Sequence, residues 1–400
     1  MGRVPWRTWL GLMDPVTVTL HQGPEALASL AGPLGSAGLL PAALPEMDPD
    51  YLATGLEGGL PAALIAANTG GPVAYMPFVL RLSNLALKLG PLKVLKLPCR
   101  QLRLMGVSRR DGSDEAVLDA LFDCLLSHFR WDVADICDFP KDDFLFPYLA
   151  SDRRLPRHGL HIMNTVYEPR HIDIKGTYDG YLKSQFTYET RYNLRRKRRL
   201  LEASAPTTLR RYTSGDNVEE FLREAERIAV KTYQRRQGLA TIAHNPEMRR
   251  RLEFQAERGW LRSYLLFSGD HPCAYCYGTL YRRTFSYAII GYDPGFRRFS
   301  PGSVLLCMIL EDLFGTGVAQ DLDFGITSAD YKELFSTSTR TIFYSRLYPS
   351  GSYAQMLRRL EVGWEAIRSR LVAMVRKTPL RSVIRRASLP TTPSVEPPCQ

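Results

Sequence analysis

The chain has 400 residues, enough for two medium domains, and its 45% hydrophobic and 23% charged residues are the balance of a folded protein rather than a disordered one. A formal net charge of +11 and a sequence pI near 9.3 suit anionic partners (phosphorylated cofactors, nucleic acid, phospholipid, acidic glycans) without choosing among them. No apolar run is long enough to span a bilayer, and the first residues, MGRVPWRTWLGLMDPV, are cut by Asp14 and Pro15 too early for a secretory signal, so the cytoplasm is the expected compartment. Seven scattered cysteines make no disulfide framework. The lone pair Cys273 and Cys276 has no second pair or neighbouring histidine to complete a zinc site, and its odd spacing predicts opposite faces of a strand. No metal is expected.

In chain order, residues 16–20 read as a strand and 24–30 as a short helix. Residues 62–67, 73–80 and 101–107 read as three strands, 114–129 as a helix with Leu118, Leu121, Phe122, Leu125 and Leu126 on its apolar face, and 133–137 as a further strand. Residues 177–203 are helix-like, with a basic end in which Arg191, Arg195, Arg196, Lys197, Arg198 and Arg199 cannot share one face. Most of them must be solvated, although Arg191 and Arg195 are spaced to lie together. Then come a strand at 208–213, helices at 217–234 and 246–258, strands at 261–267, 273–280 and 284–292, a helix at 303–314 and a strand at 322–324. Three strands, a helix and a strand thus occur twice, which predicts two lobes of one topology. Residues 353–377 carry Tyr353, Leu357, Leu360, Trp364, Ile367, Leu371 and Met374 in alternating steps of four and three, an amphipathic helix suited to its own domain, a partner or a membrane surface. The tail from 378 is rich in proline and serine and is expected to be disordered.

The most informative stretch is TFSYAIIGYDPGFRRFSPGSVLLCMILEDLFGTGVAQDLDFGITSADYKELF, residues 284–335. A β-branched and aromatic strand ends at Asp293-Pro294-Gly295. A basic turn follows, and then a helix whose first turn offers unpaired N–H groups and a positive dipole end. Arg297 and Arg298 add charge, and Gly302 would let the backbone approach a phosphate. Spacing alone favours a plain basic surface turn. The corresponding turn of the first lobe, residues 108–115, carries Asp111, Asp114 and Glu115, which would repel a pyrophosphate, so only the second lobe is expected to hold a cofactor.

Arg297-x-x-Ser300-x-Gly302 resembles the pyrophosphate loop of the GNAT acyltransferases, with Ser300 where the middle glycine is expected. The Arg-rich helix, the end of the following strand at Asp323-Phe324-Gly325, and Tyr331-Lys332 are similar to the CelD-like branch of that superfamily, akin to the FemAB peptidoglycan transferases. The resemblance covers roughly residues 50–350. It implies an α/β (α+β) fold of two GNAT-like lobes, each a mixed, mostly antiparallel sheet flanked by helices, followed by a C-terminal amphipathic helix. The expected boundaries are 1–165 for a first lobe without cofactor, 166–206 for a basic linker helix, 207–350 for the acyltransferase lobe, and 351–400 for the amphipathic helix and tail.

The activity implied is direct transfer from acetyl-CoA or another acyl-CoA to an amino or hydroxyl group of a cell-envelope polysaccharide precursor or related metabolite. Ile290, Arg297, Arg298, Phe299, Ser300, Gly302 and Ser303 would hold the cofactor, with strand backbone at 289–292 on the thioester carbonyl. Tyr331, or else Tyr292, would protonate the leaving thiolate, since a group near pKa 10 is matched to that task. Asp323 would act as base or orient the acceptor, and Arg191, Arg195 and Lys332 would bind the acceptor. Two alternatives stand beside this: a FemAB-type transferase drawing on aminoacyl-tRNA, and a non-catalytic scaffold that contacts membrane through 353–386. Nucleic acid enters only through the first of these.

Overall fold

The computed structural model describes residues 6–9, 16–40, 44–89, 92–110, 115–140, 144–150, 161–232, 241–327 and 329–377. It divides into two units, residues 1–167 with 341–399, and residues 168–340.

In the first unit, strands β1 (Trp6–Trp9), β2 (Val16–Gln22), β3 (Leu60–Asn68), β4 (Gly71–Leu89) and β5 (Leu92–Leu104) run antiparallel in order, with β6 (Ser108–Arg109) paired to β4. β7 (Val133–Pro140) returns parallel to β5 through helix α4 (Glu115–His128), while α1 (Pro24–Ala28), α2 (Ala31–Ser36) and α3 (Pro49–Ala53) separate β2 from β3. A short helix, α5 (Leu145–Ala150), follows β7. Period-two alternation decides what each face buries. Ala62, Leu64 and Ala66 of β3 pack with Leu118, Leu121 and Leu125 of α4, whereas Ala63 and Ile65 pack with Leu27 and Leu34 of the early helices.

The second unit repeats the order. β10 (Thr207–Tyr212), helices α8 (Val218–Ala229) and α9 (Pro246–Glu257), β11 (Ser263–Ser268), β12 (His271–Tyr281), β13 (Thr284–Tyr292), helix α10 (Pro301–Thr316) and β14 (Asp321–Asp323) follow one another, with β14 parallel to β13. One face of the sheet packs on α10 with α6 (Tyr178–Gln185) and α7 (Tyr188–Ser204), the other on α8 and α9. The two lobes share one topology, as expected from the repeated element order.

The lobe boundaries differ from those expected because each sheet is completed by strands distant in sequence. β8 (His161–Tyr167) belongs to the first sheet and β9 (Arg170–Asp173), three residues on, to the second. Likewise β15 (Ser338–Thr339) closes the second sheet and β16 (Ile342–Tyr348) sits between β7 and β8 in the first. Residues 168–206 are therefore part of the second unit rather than a linker, and 342–350 part of the first. The helix expected over 177–203 is two, parted at Phe186–Thr187, where the Thr187 side chain caps α7 by accepting from Thr190 N–H.

Cys273 and Cys276 are both fully buried in the same core, against expectation. In the β11–β12 ladder Leu266 faces Ala274 and Phe267 faces Pro272, so Cys273 is an extra, bulged residue, and one inserted residue reverses the alternation. Helix α12 (Ser352–Lys377) packs on β4 and β16 through Leu357, while Tyr353, Leu360 and Ile367 of the anticipated seam are exposed. Residues 378–400, including the end of the stretch considered for membrane contact, lie outside the described residues.

Candidate active site

The two parallel strands at the centre of the second sheet part. β13 and β14 pair only over Thr284–Asp321, Phe285–Leu322 and Ser286–Asp323, and β13 then runs on to Tyr292 paired with β12 but not with β14. Across the sheet Tyr277 faces Ile289 while Gly278 faces Tyr287, so Ala288 is a second bulge. It reverses the side-chain alternation: Phe285 and Tyr287 face the α10 core, Ile289 turns to the α8–α9 core, and Ile290 and Tyr292 turn back toward α10. The parting leaves one edge of β13 backbone between 287 and 292 without a ladder partner in β14. An opening lined by unpaired peptide groups can accept an extended amide-bearing chain as a strand would.

At the head of this opening stands the basic turn. The Asp293 side chain accepts from Gly295 N–H at 2.9 Å and from Lys231 Nζ at 2.6 Å. Burial pushes that carboxyl up, but these bonds outweigh it and hold the group below its ordinary value. Residues 294–299 form a 3-10 turn, and Ser300 then adopts the left-handed conformation (φ 51, ψ 57) immediately before α10. That conformation costs a non-glycine residue roughly 1–2 kcal/mol, which is a physical reason for glycine at this position of the resembled pattern. Arg297 and Arg298 are exposed and have no carboxylate partner among the described residues; Arg298 lies over the Phe299 ring, 4.5 Å from its centroid. Phe299 itself is buried in the core, Ser303 is half-buried in the first turn of α10, and a Cβ added at Gly302 would meet only Tyr292 Cδ1, at 3.8 Å.

Beyond β14 the chain turns at Gly325 (φ 68), whose N–H donates to Asp323 Oδ1 at 2.7 Å. Helix α11 (Asp330–Phe335) follows and carries Tyr331 and Lys332. The Tyr331 ring is half-buried, with its centroid 6.0 Å from that of Phe324 and 6.5 Å from that of Tyr287, both at edge-to-face angles. Burial drives the Tyr287 phenol well above its ordinary range, so it stays protonated. Lys332 is 6% exposed and its Nζ donates to Phe324 O and Thr327 Oγ1, a staple across the 324–330 turn.

Burial brings Lys332 down from 10.5 to about 8, against the pull of Asp323. Between those values the unfolded chain keeps a proton that the folded chain has released, so this group's contribution to stability rises with pH across that window. Wild type should therefore gain about 1–2 kcal/mol relative to Lys332→Met between about pH 7.5 and 9.5, measured by urea unfolding. An equal pH dependence in the two proteins would show that the buried amine titrates normally.

The anticipated acceptor arginines are both tied to α6. Arg191 donates to Phe186 O at 2.6 Å, bracing the end of α6, and Arg195 sits 3.7 Å from Asp179 on the same helix. Arg198, which spacing did not single out, pairs with Glu202 and with Glu311 of α10. Sequence reasoning also missed His171 and Asp321. His171 Nδ1 is 3.1 Å from Asp321 Oδ2, and Arg340 is 3.2 Å from the same oxygen. The available signal was the D-L-D alternation of 321–323, which places Asp321 beside Asp323 on one strand face. Among the described residues no group of three or more His, Cys, Asp or Glu side chains is placed to hold a metal ion, and no helix is long and apolar enough to cross a membrane.

A family model described as an acetyltransferase (GNAT) domain matches residues 189–333, which span β10 to β14 with the basic turn and most of α11. No curated protein sequence matches the chain. Among solved structures it is similar to the C-terminal domain of a putative lysylphosphatidylglycerol synthetase from Agrobacterium fabrum, at 10% identity over 84% of this chain and 96% of that one, with a TM-score of 0.48. FemX (12% identity, 75% and 90% covered, TM-score 0.49) and a tandem GNAT protein from the clavulanic acid pathway (11%, 82% and 98%, TM-score 0.45) are similar at the same level. Likeness of that degree bears on neither donor nor acceptor. Residues 189–333 are an acetyltransferase (GNAT) domain, and they lie in the second of two units that share one order of strands and helices.

Proposed function

We propose that the second lobe transfers an acyl group directly from acetyl-CoA or another acyl-CoA to an amino or hydroxyl acceptor. The observation that carries this is the parting of β13 and β14 beneath a basic turn that opens a 16-residue helix. Arg297 and Arg298, together with N–H groups at the start of α10, would hold the pyrophosphate. The pantetheine arm, whose amides need partners, would lie along the free edge of β13, and the N–H groups of 289–292 would face the thioester carbonyl as charge builds on its oxygen. Tyr331 would protonate the departing thiolate and Asp323 would receive the acceptor's proton. An acceptor linked to a cell-envelope polysaccharide precursor is the class implied by the likeness of the Arg-rich helix and Asp323-Phe324-Gly325 to the CelD-like branch. The first lobe is assigned no cofactor, because Glu115 at the start of α4 already occupies the dipole end where phosphate would bind.

CoA should stabilise the fold. A ligand that binds only the native state contributes about 2.7 kcal/mol at a hundredfold excess over its Kd, and each kcal/mol raises the melting midpoint by roughly 2–4 °C at the upper end for a chain of this length. Dephospho-CoA should do less, adenosine almost nothing, and added salt should shrink the shift. No shift with CoA, but a steeply salt-dependent complex with aminoacyl-tRNA, would replace this reading with the tRNA-dependent one that the net charge of +11 also suits. Neither, with liposome binding lost on removing residues 353–400, would indicate the scaffold.

A further inference from the structure

Two rows of paired residues cross the second sheet on the face turned away from α10. Ser286, Asp323 and His171 form one row; Thr284, Asp321 and Asp173 form the next. Paired residues in a sheet point to the same side, so three carboxylates and one imidazole share this face. His171 is 4% exposed, and it sits between two of the carboxylates: Nδ1 is 3.1 Å from Asp321 Oδ2 and Nε2 is 3.7 Å from Asp323 Oδ1. A carboxylate can only accept a hydrogen bond, so the shorter contact requires the proton on Nδ1. In the neutral ring Nε2 then presents a bare lone pair to Asp323. Two acceptors have no bond to make, and 3.7 Å is beyond hydrogen-bond length. One proton delivered between them would convert the gap into a charge-assisted bond. The Asp323 side chain is 33% exposed, where β13 and β14 part, and that of Asp321 only 10%. From the opening inward the order is carboxylate, imidazole, carboxylate.

We propose that His171 is a positioning residue for the acceptor's proton, acting through Asp323 and held in its tautomer by Asp321. This deepens the acyl-transfer reading above and rests on it. The acceptor nitrogen or oxygen bonds to the thioester carbonyl carbon, and its proton passes to Asp323 and on to His171 Nε2. As the C–S bond breaks, the electron pair leaves with sulfur, which takes a proton from Tyr331. An imidazole holds a proton near neutrality far better than a lone carboxylate, their ordinary values being about 6.5 and 3.9. The other charges on this cluster are Arg340, 3.2 Å from Asp321 Oδ2, the buried Lys332 beside Asp323, and Asp173 in the neighbouring row. The two cations oppose a protonated ring and the three carboxylates favour it.

Long-range proton–nitrogen NMR of the full chain tests the placement directly, with the His171 ring assigned by its loss in His171→Gln. The expected result is an Nδ1–H tautomer whose titration midpoint falls in Asp323→Asn, because a facing negative charge is gone. An Nε2–H tautomer, or a titration indifferent to Asp323→Asn, would overturn the proposal. Kinetics supply the second arm, as thiol release from acetyl-CoA with water as the probe acceptor. His171→Gln should lower kcat about 100-fold at unchanged KM for acetyl-CoA and move the acid limb of the kcat profile down toward the carboxylate range. A purely structural histidine would shift melting and KM and leave that limb in place, and a variant with wild-type kcat and limb also sinks the idea. Failure of the acyl-CoA reading shows separately, as no stabilisation of wild type by CoA, with the ring titration still readable.

Discussion

Tyr331→Phe should lower kcat by about 100-fold or more while leaving CoA affinity near that of wild type. The substitution keeps the ring, and the ring is what packs edge-to-face on Phe324 and Tyr287, so the turn after β14 should hold its shape. Only the hydroxyl goes. Its proposed task falls late in the reaction, when negative charge collects on sulfur, so ground-state binding of the cofactor is not expected to depend on it. Tyr287 does not compete for the role: it is 3% exposed and its phenol is held protonated by burial, walled off from a departing group. Tyr292 does compete, being half-buried beside the start of α10. Stopped-flow measurement of thiol release on both variants decides between them. If Tyr331→Phe turns over as wild type and Tyr292→Phe does not, the acid is Tyr292; if both are unaffected, water protonates the thiolate.

How far this site could be read in advance depended on how local its physics is. β13 has the expected bounds, 284–292, because a β-branched and aromatic run closed by Asp-Pro-Gly is a strand for reasons contained within itself. Helix α10 runs from 301 to 316, beyond the 303–314 that apolar spacing marks, since its first residues are Pro301 and Gly302 and periodicity says nothing of a proline-led first turn. The bulges at Cys273 and Ala288 were not legible. Each depends on the register of a neighbouring strand, and each reverses alternation that counting alone takes as continuous. The completion of each sheet by β9, β15 and β16 was hidden for the same reason: which strand they pair with, more than a hundred residues away, leaves no periodic trace in strands of two to seven residues. His171 shares that fate, since what gives it meaning is Asp321, 150 positions away. The bonds of Lys332 to Phe324 O and Thr327 Oγ1 were not legible either, because a buried amine bonds whatever acceptors its burial leaves within reach.

The basic turn offers the other large effect. Gly302→Val should weaken CoA binding by about 100-fold and Arg298→Ala by about 10- to 100-fold, the latter being the loss of one charged contact of about 1.5–3 kcal/mol. The two act by different means, and the structure separates them. In the free protein a Cβ at Gly302 has an ordinary neighbour at 3.8 Å and nothing closer, and the residue does not adopt the left-handed backbone that would demand glycine. Gly302→Val should therefore fold and melt close to wild type when no ligand is present. What the branched side chain fills is the space through which a phosphate would approach the N–H groups at the head of α10. Its defect should be steric and nearly independent of salt. Arg298 contributes charge from an exposed position over the Phe299 ring, so its defect should shrink as ionic strength rises and wild type loses the same attraction. Calorimetric titration of both variants with CoA at low and high salt reads the contrast in one experiment. Loss of affinity in Arg298→Ala alone would mean that charge near the turn attracts CoA but the phosphate lies away from α10. Two variants that fold and bind CoA as wild type does would remove the turn from the site altogether, and with it the reason for placing the pantetheine arm along β13.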